Sequence, residues 1–399
     1  MTHVACDVLV IGGGVSGVAA ALAAARTGAH AILVEQKPWL GGVGYSGKLH
    51  HICGLYLNGN EIPSDTLEDG ITREIAGLLQ SKGPLEKIGK VYVLPYDAEY
   101  LQAVLTALCD AEKKLTVMRE TSAISLEMTG KKINTVILEA SSEQIVVNSR
   151  MVIDCSGNGS IAARAGAEIE YASQEERQLA GFIVEVAGLQ DTSESLSLMV
   201  PYYLARAVEQ GIFEQRMKFT TFSKGKNQTE GFFKMSFDQE DEPDRTNSAQ
   251  KDAVAMLNYL ASVCTAFQHA TITTTSLDVV DREGGRVVGP YMLTQDDILT
   301  ARKFPDGVVK NAWPIEIWDR SHGTRYHYVP QGDYYEIPFR CLQVNGVDNL
   351  LTAGRCISVS HGALGSTRVM GACMALGDKA GRSAVSFIQK GIFIDKKDA

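Results

Sequence analysis

The chain has 399 residues, of which 45% are hydrophobic and 21% are charged, a composition typical of folded globular proteins of about two or three domains. Its 38 basic and 47 acidic side chains give a net charge of −9. We therefore expect no nucleic-acid partner, because such a partner requires a basic surface.

The apolar segment 8–25 approaches the length of a membrane-spanning helix. Four glycines interrupt it, and it lacks the basic flank of a signal peptide or membrane anchor. The eight cysteines form no C-x-x-C pair, which is typical of buried thiols in a reducing compartment. We expect a cytoplasmic protein without a membrane segment.

Residues 7–35 predict a strand–helix–strand unit. The apolar run 7–11 is typical of a buried parallel strand, and the Ala-rich segment 15–27 favours a helix. A second apolar run, 31–34, ends at Glu35. This order is that of a β-α-β unit.

The turn between the first strand and the helix has the sequence Gly12-Gly13-Gly14-Val15-Ser16-Gly17, a G-x-G-x-x-G motif. Gly12 permits the tight turn, Gly14 lets the backbone approach a pyrophosphate, and Gly17 allows the helix to pack closely on the strand. The helix that begins around Ser16 offers free N–H groups to the phosphates, and Glu35 is placed to accept the ribose hydroxyls. The motif therefore predicts a dinucleotide site.

Two further features predict FAD rather than NAD. Gly41 and Gly42 follow the second strand closely, and the later sequence Ala353-Gly354-Arg355 returns to the same domain, which gives an extended FAD a second contact surface. Val369 and Met370 lie near the start of the last helix. Backbone N–H groups there can point at the flavin carbonyl that becomes negative on reduction.

Residues 42–47 repeat the same glycine spacing, but no strand precedes them and no Ala-rich helix follows. We therefore reject this segment as a second nucleotide site. Because a separate NAD(P)H domain is then not expected, we expect electrons to come from the substrate itself or from a partner protein.

The remaining elements predict an α/β fold with two parts. In chain order we expect a helix (97–113), strands (115–126, 132–139, 143–147 and 150–154), a helix (160–165), a strand (349–353), a loop (354–365) and a helix (366–390). Residues 173–335 show no β-α-β alternation and predict a separate α+β lobe.

The predicted first domain is a discontinuous, Rossmann-like FAD-binding domain with a parallel central sheet and a β-meander, formed by residues 1–48, 96–172 and 336–399. The predicted second domain is an α+β substrate domain formed by residues 49–95 and 173–335.

Four stretches of the chain resemble a known family. Residues 7–35 are similar to FAD-binding oxidoreductases of the glutathione-reductase-like superfamily. Residues 152–159 (VIDCSGNG), 282–289 (REGGRVVG) and 349–381 (with AGRCIS and GSTRVMG) narrow the resemblance to the bacterial FAD-dependent oxidoreductase family. The resemblance implies two lobes with FAD between them, and it places Arg355 near the pyrophosphate.

The chain departs from this family at two places. The sequence Cys155-Ser156-Gly157 stands where the family usually has Ala-Thr-Gly, a mild change beside the expected cofactor contact at Gly157. The pair Gly285-Arg286 stands where the family often has two arginines, so that a paired-arginine substrate clamp is incomplete here.

His361 and Arg368 are the first candidates for the chemistry. A flavin exchanges a hydride, so the protein must supply orientation and a proton donor or acceptor. His361 precedes the last helix and Arg368 stands at its start, a pairing similar to that of fumarate-reductase-like flavoproteins. The alternative for His361 is a structural histidine that is hydrogen-bonded to its loop.

His50 and His51 are the second candidates for proton transfer, in a region that the fold places near the flavin ring. They either line the substrate pocket with Cys53 or simply pack. A metal site is not expected, because adjacent histidines on a strand point apart and no fourth ligand has suitable spacing.

Arg286 is a candidate for binding a substrate carboxylate through its planar guanidinium; the alternative is an ion pair with Glu283 or Asp281. The aromatic cluster formed by Tyr326, His327, Tyr328, Tyr334 and Tyr335 lines the pocket or packs in the core.

These residues predict an FAD-dependent oxidoreductase that transfers a hydride between FAD and a small or medium polar substrate. One alternative is a flavin-dependent monooxygenase. Another is an FAD-carrying electron-transfer subunit, for which the acidic segment 238–244 is a candidate docking surface for an electron-acceptor protein.

Overall fold

The computed structural model describes residues 2–80, 83–190, 195–225, 227–238 and 244–394. The strands are β1 (Thr2–Ile11), β2 (Ala31–Val34), β3 (His51–Ile52), β4 (Glu86–Ile88), β5 (Val91–Pro95), β6 (Leu115–Met118), β7 (Thr121–Thr129), β8 (Lys132–Ala140), β9 (Glu143–Asp154), β10 (Ile169–Glu170), β11 (Ala180–Ala187), β12 (Thr221–Lys224), β13 (Glu230–Phe237), β14 (Thr271–Thr275), β15 (Arg286–Val287), β16 (Gly307–Asn311), β17 (Ile315–Asp319), β18 (Gly323–His327), β19 (Tyr335–Pro338) and β20 (Leu350–Thr352).

The helices are α1 (Val15–Arg26), α2 (Val43–Ser46), α3 (Gly70–Gln80), α4 (Ala98–Asp110), α5 (Ser160–Arg164), α6 (Leu196–Glu209), α7 (Arg245–Val263), α8 (Gln295–Leu299), α9 (His361–Thr367) and α10 (Met370–Lys390). Among the described residues, no helix has both the length and the apolar character that a membrane crossing requires.

The largest sheet has the order β6-β2-β1-β9-β8-β7, with β20 also paired to β9. Strands β6, β2, β1, β9 and β20 run parallel, whereas β8 and β7 add an antiparallel meander. Both faces of β1 are buried: Val8 and Val10 contribute to one apolar core, and Leu9 and Ile11 to another. The predicted α/β class, parallel sheet and meander are confirmed.

A second sheet, β12-β13-β11-β14, is antiparallel. It packs with α6 and α7 around a separate apolar core built on Phe182, Phe233 and Phe267. The two predicted domain ranges stay a prediction. Apolar residues of 52–94 and of 293–342 share the core of α1 and α10.

Several predicted element boundaries are wrong. The predicted strand 115–126 is two strands, because Glu120 adopts a left-handed φ of 52° between β6 and β7. The predicted strands 143–147 and 150–154 are one strand, β9, because Asn148 and Ser149 both pair with β1. The predicted loop 354–365 contains the start of α9, whose N-cap Ser360 accepts a hydrogen bond from Ala363 N.

The last helix also begins later than predicted, at Met370 rather than at residue 366, because Val369 is extended with ψ 151°. Helix α10 then lies unusually close to α1. A Cβ at Gly377 would lie 2.0 Å from Ser16 O, and one at Gly381 would lie 2.2 Å from Ala20 O. Only glycine fits at either position without a shift of the backbone.

We expect Gly381→Ala to destabilise the protein by about 1–3 kcal/mol, because its new methyl group overpacks against the backbone of α1. Gly77→Ala is the matched control, because Gly77 is an exposed residue of α3 with no heavy atom within 4 Å of the added Cβ. It should stabilise the protein by about 0.5–1 kcal/mol through helix propensity. Urea denaturation measures both changes, and equal effects of the two substitutions would contradict the close packing.

Candidate functional site

The turn between β1 and α1 forms one wall of a cavity of about 1020 Å³. Gly12 has a φ of 108°, and a Cβ there would lie 2.4 Å from Cys155 O. A Cβ at Gly17 would lie 1.7 Å from Gly12 O. Around Gly14 the space is open, since the nearest atom to an added Cβ is the Gly42 Cα at 4.0 Å. Gly12 and Gly17 therefore allow the tight turn, and at Gly14 no side chain projects from the cavity wall.

The cavity lies at the carboxyl ends of β1, β2, β9 and β20, where α/β sheets bind ligands. Its volume is at the upper end of the roughly 300–1,000 Å³ of a single small-molecule site. The sequence-predicted cofactor residues that line it are Gly12, Gly14, Ser16, Glu35, Gly41, Gly42, Gly157, Gly354, Arg355, Val369 and Met370. The remaining one, Gly17, packs against Gly12 instead.

Glu35 is buried at the end of β2 with its carboxylate held in place by two backbone donors. Its Oε2 accepts from Gly13 N at 2.6 Å, and its Oε1 accepts from Lys37 N at 2.8 Å. Burial raises the pKa of Glu35 even though these N–H groups favour the ionised form. The carboxylate is therefore oriented before any ligand binds.

Arg355 follows β20 and reaches across the cavity floor. Its Nε donates to Gly157 O at 2.8 Å, and its guanidinium also donates to Asp281 O. Burial lowers the pKa of Arg355, with the Asp281 carboxylate opposing that shift. The arginine thus fixes three segments of the wall and keeps a positive charge beside Gly157.

The N-terminus of α10 closes this half of the cavity. Val369 is its N-cap and lines the cavity together with Met370. The Gly371 amide donates to Cys53 O at 2.9 Å, which connects the helix start to the segment that carries His50 and His51. The partial positive charge of a helix N-terminus therefore faces the cavity.

The other half of the cavity is lined by aromatic and charged residues of the second sheet and of residues 313–328. His50 and His51 both line it, and their rings point to different carboxylates. His50 Nε2 lies 2.9 Å from Glu185 Oε1, and His51 Nε2 lies 3.0 Å from Glu86 Oε2. Burial lowers the pKa of His51, so that its imidazole is neutral at physiological pH.

Arg368 also lines this half, together with three charged residues to which the sequence interpretation gave no role: Lys234, Arg282 and Glu316. Lys234 lies on β13, Glu316 on β17, and Arg282 in the segment before β15. No sequence spacing connects residues so far apart. Tyr326 and Tyr328 of the predicted aromatic cluster line the cavity as well.

Two predicted catalytic residues lie elsewhere. Neither His361 nor Arg286 is among the described residues that line this cavity. His361 Nδ1 lies 3.0 Å from Glu283 Oε2, and Arg286, which is 2% exposed, lies 3.8 Å from the same oxygen. Burial raises the pKa of Glu283, but His361, the Gln178 amide and Arg286 together outweigh burial and hold that pKa below its usual value. The alternative that we gave for Arg286, an ion pair with Glu283, is what the structure contains.

Comparison with known proteins gives one sequence match and several similar folds. The sequence model of a family described as FAD dependent oxidoreductase matches residues 7–397. No curated protein matches the chain. Among solved structures, the fold is similar to a geranylgeranyl bacteriochlorophyll reductase-like protein from Thermoplasma acidophilum, with a TM-score of 0.51 and 12% identity over 98% of this chain and 80% of that one.

The fold is also similar to the anhydrotetracycline hydroxylase OxyS from Streptomyces rimosus, with a TM-score of 0.51 and 11% identity over 97% of this chain. This chain spans 63% of that protein. Within the described ranges, no group of three or more His, Cys, Asp or Glu side chains is placed to hold a metal ion.

We expect the affinity for FAD to fall as the pH falls through the pKa of Glu35. The ionised carboxylate is the stronger acceptor for the ribose hydroxyls, and its raised pKa brings this loss to a higher pH than that of an ordinary glutamate. Fluorescence titration of the FAD-free protein from pH 8 to pH 5 measures the effect. Glu35→Gln should bind FAD more weakly at pH 8 and with less pH dependence; an unchanged pH profile would contradict this role.

We expect Gly14→Ala to weaken FAD binding about tenfold or more, with little change in the stability of the FAD-free protein, because the added methyl group clashes with no protein atom. Gly17→Ala should instead destabilise the FAD-free protein, because its Cβ meets Gly12 O. Equal stability losses for the two variants would contradict the division of roles.

Proposed function

This chain belongs to the FAD dependent oxidoreductase family, and from that premise we propose that the enzyme transfers a hydride between FAD and a small or medium polar substrate. FAD is the cofactor. One observation carries the proposal: a single cavity connects the glycine motif of β1 and α1 with a pocket of histidines and charged side chains.

The described residues fit FAD. Three features would hold the ribose and the pyrophosphate. They are the cavity wall at Gly14, which has no side chain, the oriented Glu35 carboxylate and the Arg355 guanidinium. Val369 and Met370 would meet the ring system. When bound, FAD supplies the hydride chemistry, and the chain must bind the substrate, orient it and move a proton.

We assign the proton transfer to His51. The Glu86 carboxylate orients its ring at 3.0 Å, and burial keeps the imidazole neutral, so that it can take the proton that leaves the substrate on oxidation. His50 is the alternative, since Glu185 orients it in the same way. His361 becomes a positioning residue, because its hydrogen bond holds Glu283 in place. Glu283 is the residue that follows Arg282 in the chain.

A flavin-dependent monooxygenase is the second candidate function. The similar fold of OxyS, which is an anhydrotetracycline hydroxylase, and the aromatic walls formed by Trp313, Trp318 and Tyr326 support it. Incorporation of isotopically labelled oxygen into the product would favour this candidate over hydride transfer.

We propose three further points. A cytoplasmic location is supported by the eight cysteines, all of which are free. Membership of the bacterial branch of the glutathione-reductase-like superfamily is supported by the glycine motif. A role as an electron-transfer subunit with an electron-acceptor partner stays a third alternative. Within its candidate docking segment, 238–244, residues 239–243 lie outside the described residues.

The test starts from a screen of reduced polar compounds for those that bleach the enzyme-bound flavin without oxygen. With such a compound, His51→Gln should slow bleaching about 100-fold or more. In the unchanged enzyme the rate should fall as the pH drops through the pKa of His51, which lies below the ordinary value of about 6.5, because only the neutral imidazole accepts a proton.

His361→Gln is the matched control, since glutamine can keep the hydrogen bond to Glu283, and it should change the rate little. After removal of unbound FAD, the flavin absorbance per protein should be equal in all variants, which shows that FAD is bound. If His51→Gln bleaches at the unchanged rate while His361→Gln is slow, the assignment is wrong.

A further inference from the structure

Three cations and one carboxylate meet in the half of the cavity that lies beyond the start of α10. The cations are Lys234, Arg282 and Arg368, and the carboxylate is Glu316. Arg282 is 7% exposed and Glu316 is 9% exposed, whereas Lys234 and Arg368 are half-buried. Burying such charges is unfavourable unless they are paired.

Glu316 is ionised and cannot neutralise the whole cluster. Burial raises its pKa, but the charges of Arg368, Lys234 and Arg282 outweigh burial and hold the pKa below its usual value. Its Oε1 also accepts from Trp318 Nε1 at 2.8 Å. One carboxylate therefore faces three basic side chains. Burial lowers the pKa of Lys234, and it lowers the pKa of Arg282 to about 9, which leaves the Arg282 guanidinium protonated at pH 7. Together with Arg368, the cluster keeps a positive excess.

The other acidic residues that line the cavity are already engaged. Asp281 binds Arg245 through both oxygens at 2.8 Å, and Asp278 lies 3.5 Å from Lys37. Glu35 lies in the cofactor half, where it accepts from two backbone amides. Among the described residues that line the cavity, Glu316 is therefore the only acidic residue placed to balance the cluster.

Two of the cations, Lys234 and Arg368, have N–H groups that are not fully hydrogen-bonded. In the part of the chain that the structure describes, no hydrogen-bond or ion-pair partner contacts the Lys234 ammonium, which lies 4.5 Å from the centre of the Trp318 ring. Among the described residues, Arg368 Nε is buried without a partner, and Arg368 Nη2 makes only long contacts of 3.4 Å to Gln178 Oε1 and 3.3 Å to Glu316 O. Buried donors without acceptors are unfavourable, so the cluster is suited to a ligand that brings acceptors.

The surrounding surfaces are flat and apolar. The Arg282 guanidinium lies 3.8 Å from the centre of the Trp318 ring, and Trp313 and Tyr326 complete the lining near Glu316. A planar, two-oxygen anion on an apolar body matches such a site, because guanidinium groups bind carboxylates through two parallel N–H bonds.

Resting on the proposed function, we infer that the substrate is an organic acid whose carboxylate is bound by Lys234, Arg282 and Arg368, with its body against the tryptophans. Glu316 then sets the strength of binding: it holds the cations in place and repels the incoming carboxylate.

The test uses the FAD-loaded enzyme and two matched pairs of probes: benzoate with benzamide, and succinate with succinamide. Binding is measured by the change in the visible spectrum of the bound flavin and by the shift in melting temperature. Each carboxylate should bind at least about tenfold more tightly than its neutral amide, because only the anion forms charge-assisted hydrogen bonds.

Four variants locate the site. Lys234→Gln and Arg368→Gln should each weaken carboxylate binding about tenfold or more and leave the FAD content unchanged. Glu316→Gln should strengthen carboxylate binding, a gain that misfolding cannot produce. Lys251→Gln, on the exposed face of α7, should change nothing.

The inference is overturned if the amides bind as well as the carboxylates, if inorganic phosphate binds and neither carboxylate does, or if Lys234→Gln and Arg368→Gln leave binding unchanged. Loss of FAD from these two variants would also overturn it, since the cluster would then hold the cofactor. If carboxylates bind as expected but no organic acid ever bleaches the flavin, the binding site stands and the proposed hydride transfer fails.

Discussion

The close approach of backbones around α1 is the constraint on which the rest of the site depends. Gly17 lets α1 contact the β1 turn, and Gly377 and Gly381 let α10 contact α1. These contacts fix two helix N-termini at one cavity, that of α1 at the glycine motif and that of α10 at Val369. A side chain at any of these glycines would push the packed backbones apart. The position of the cavity wall therefore depends on close backbone packing.

The two halves of the cavity differ in the hydrogen-bond partners of their charged side chains. In the cofactor half, Glu35 and Arg355 are satisfied by backbone groups of the protein, so their orientation is set before a ligand arrives. In the other half, within the described part of the chain, Arg368 Nε is buried without a partner and the Lys234 ammonium contacts the face of the Trp318 ring. The first arrangement is typical of a resident cofactor, and the second is typical of a ligand that enters and leaves.

The sequence allowed the cofactor half to be predicted because its signals are local. Gly12, Gly14, Gly17 and Glu35 lie within one strand–helix–strand unit, where spacing determines geometry. Element boundaries were less predictable. The turn at Glu120 depends on a backbone conformation that glutamate rarely adopts, and the continuity of β9 depends on pairing with β1, which lies far away in the chain.

The other half of the cavity could not be predicted, because it is assembled from β13, β17 and the segments before β15 and α10, which no motif connects. The same difficulty explains the placement of His361 and Arg286. Their proximity to the last helix and to a family motif suggested chemistry, whereas Glu283, buried between them, engages both side chains outside the cavity.

We propose that FAD and substrate share one cavity, with the ring system at the start of α10. A crystal structure of the FAD-loaded enzyme with a bound carboxylate tests this arrangement. We expect ribose density at Glu35, pyrophosphate density at Gly14, ring density at Val369 and Met370, and the carboxylate between Lys234 and Arg368. Ring density that fills the space between Lys234 and Arg368, or a carboxylate bound outside the cavity, would contradict it.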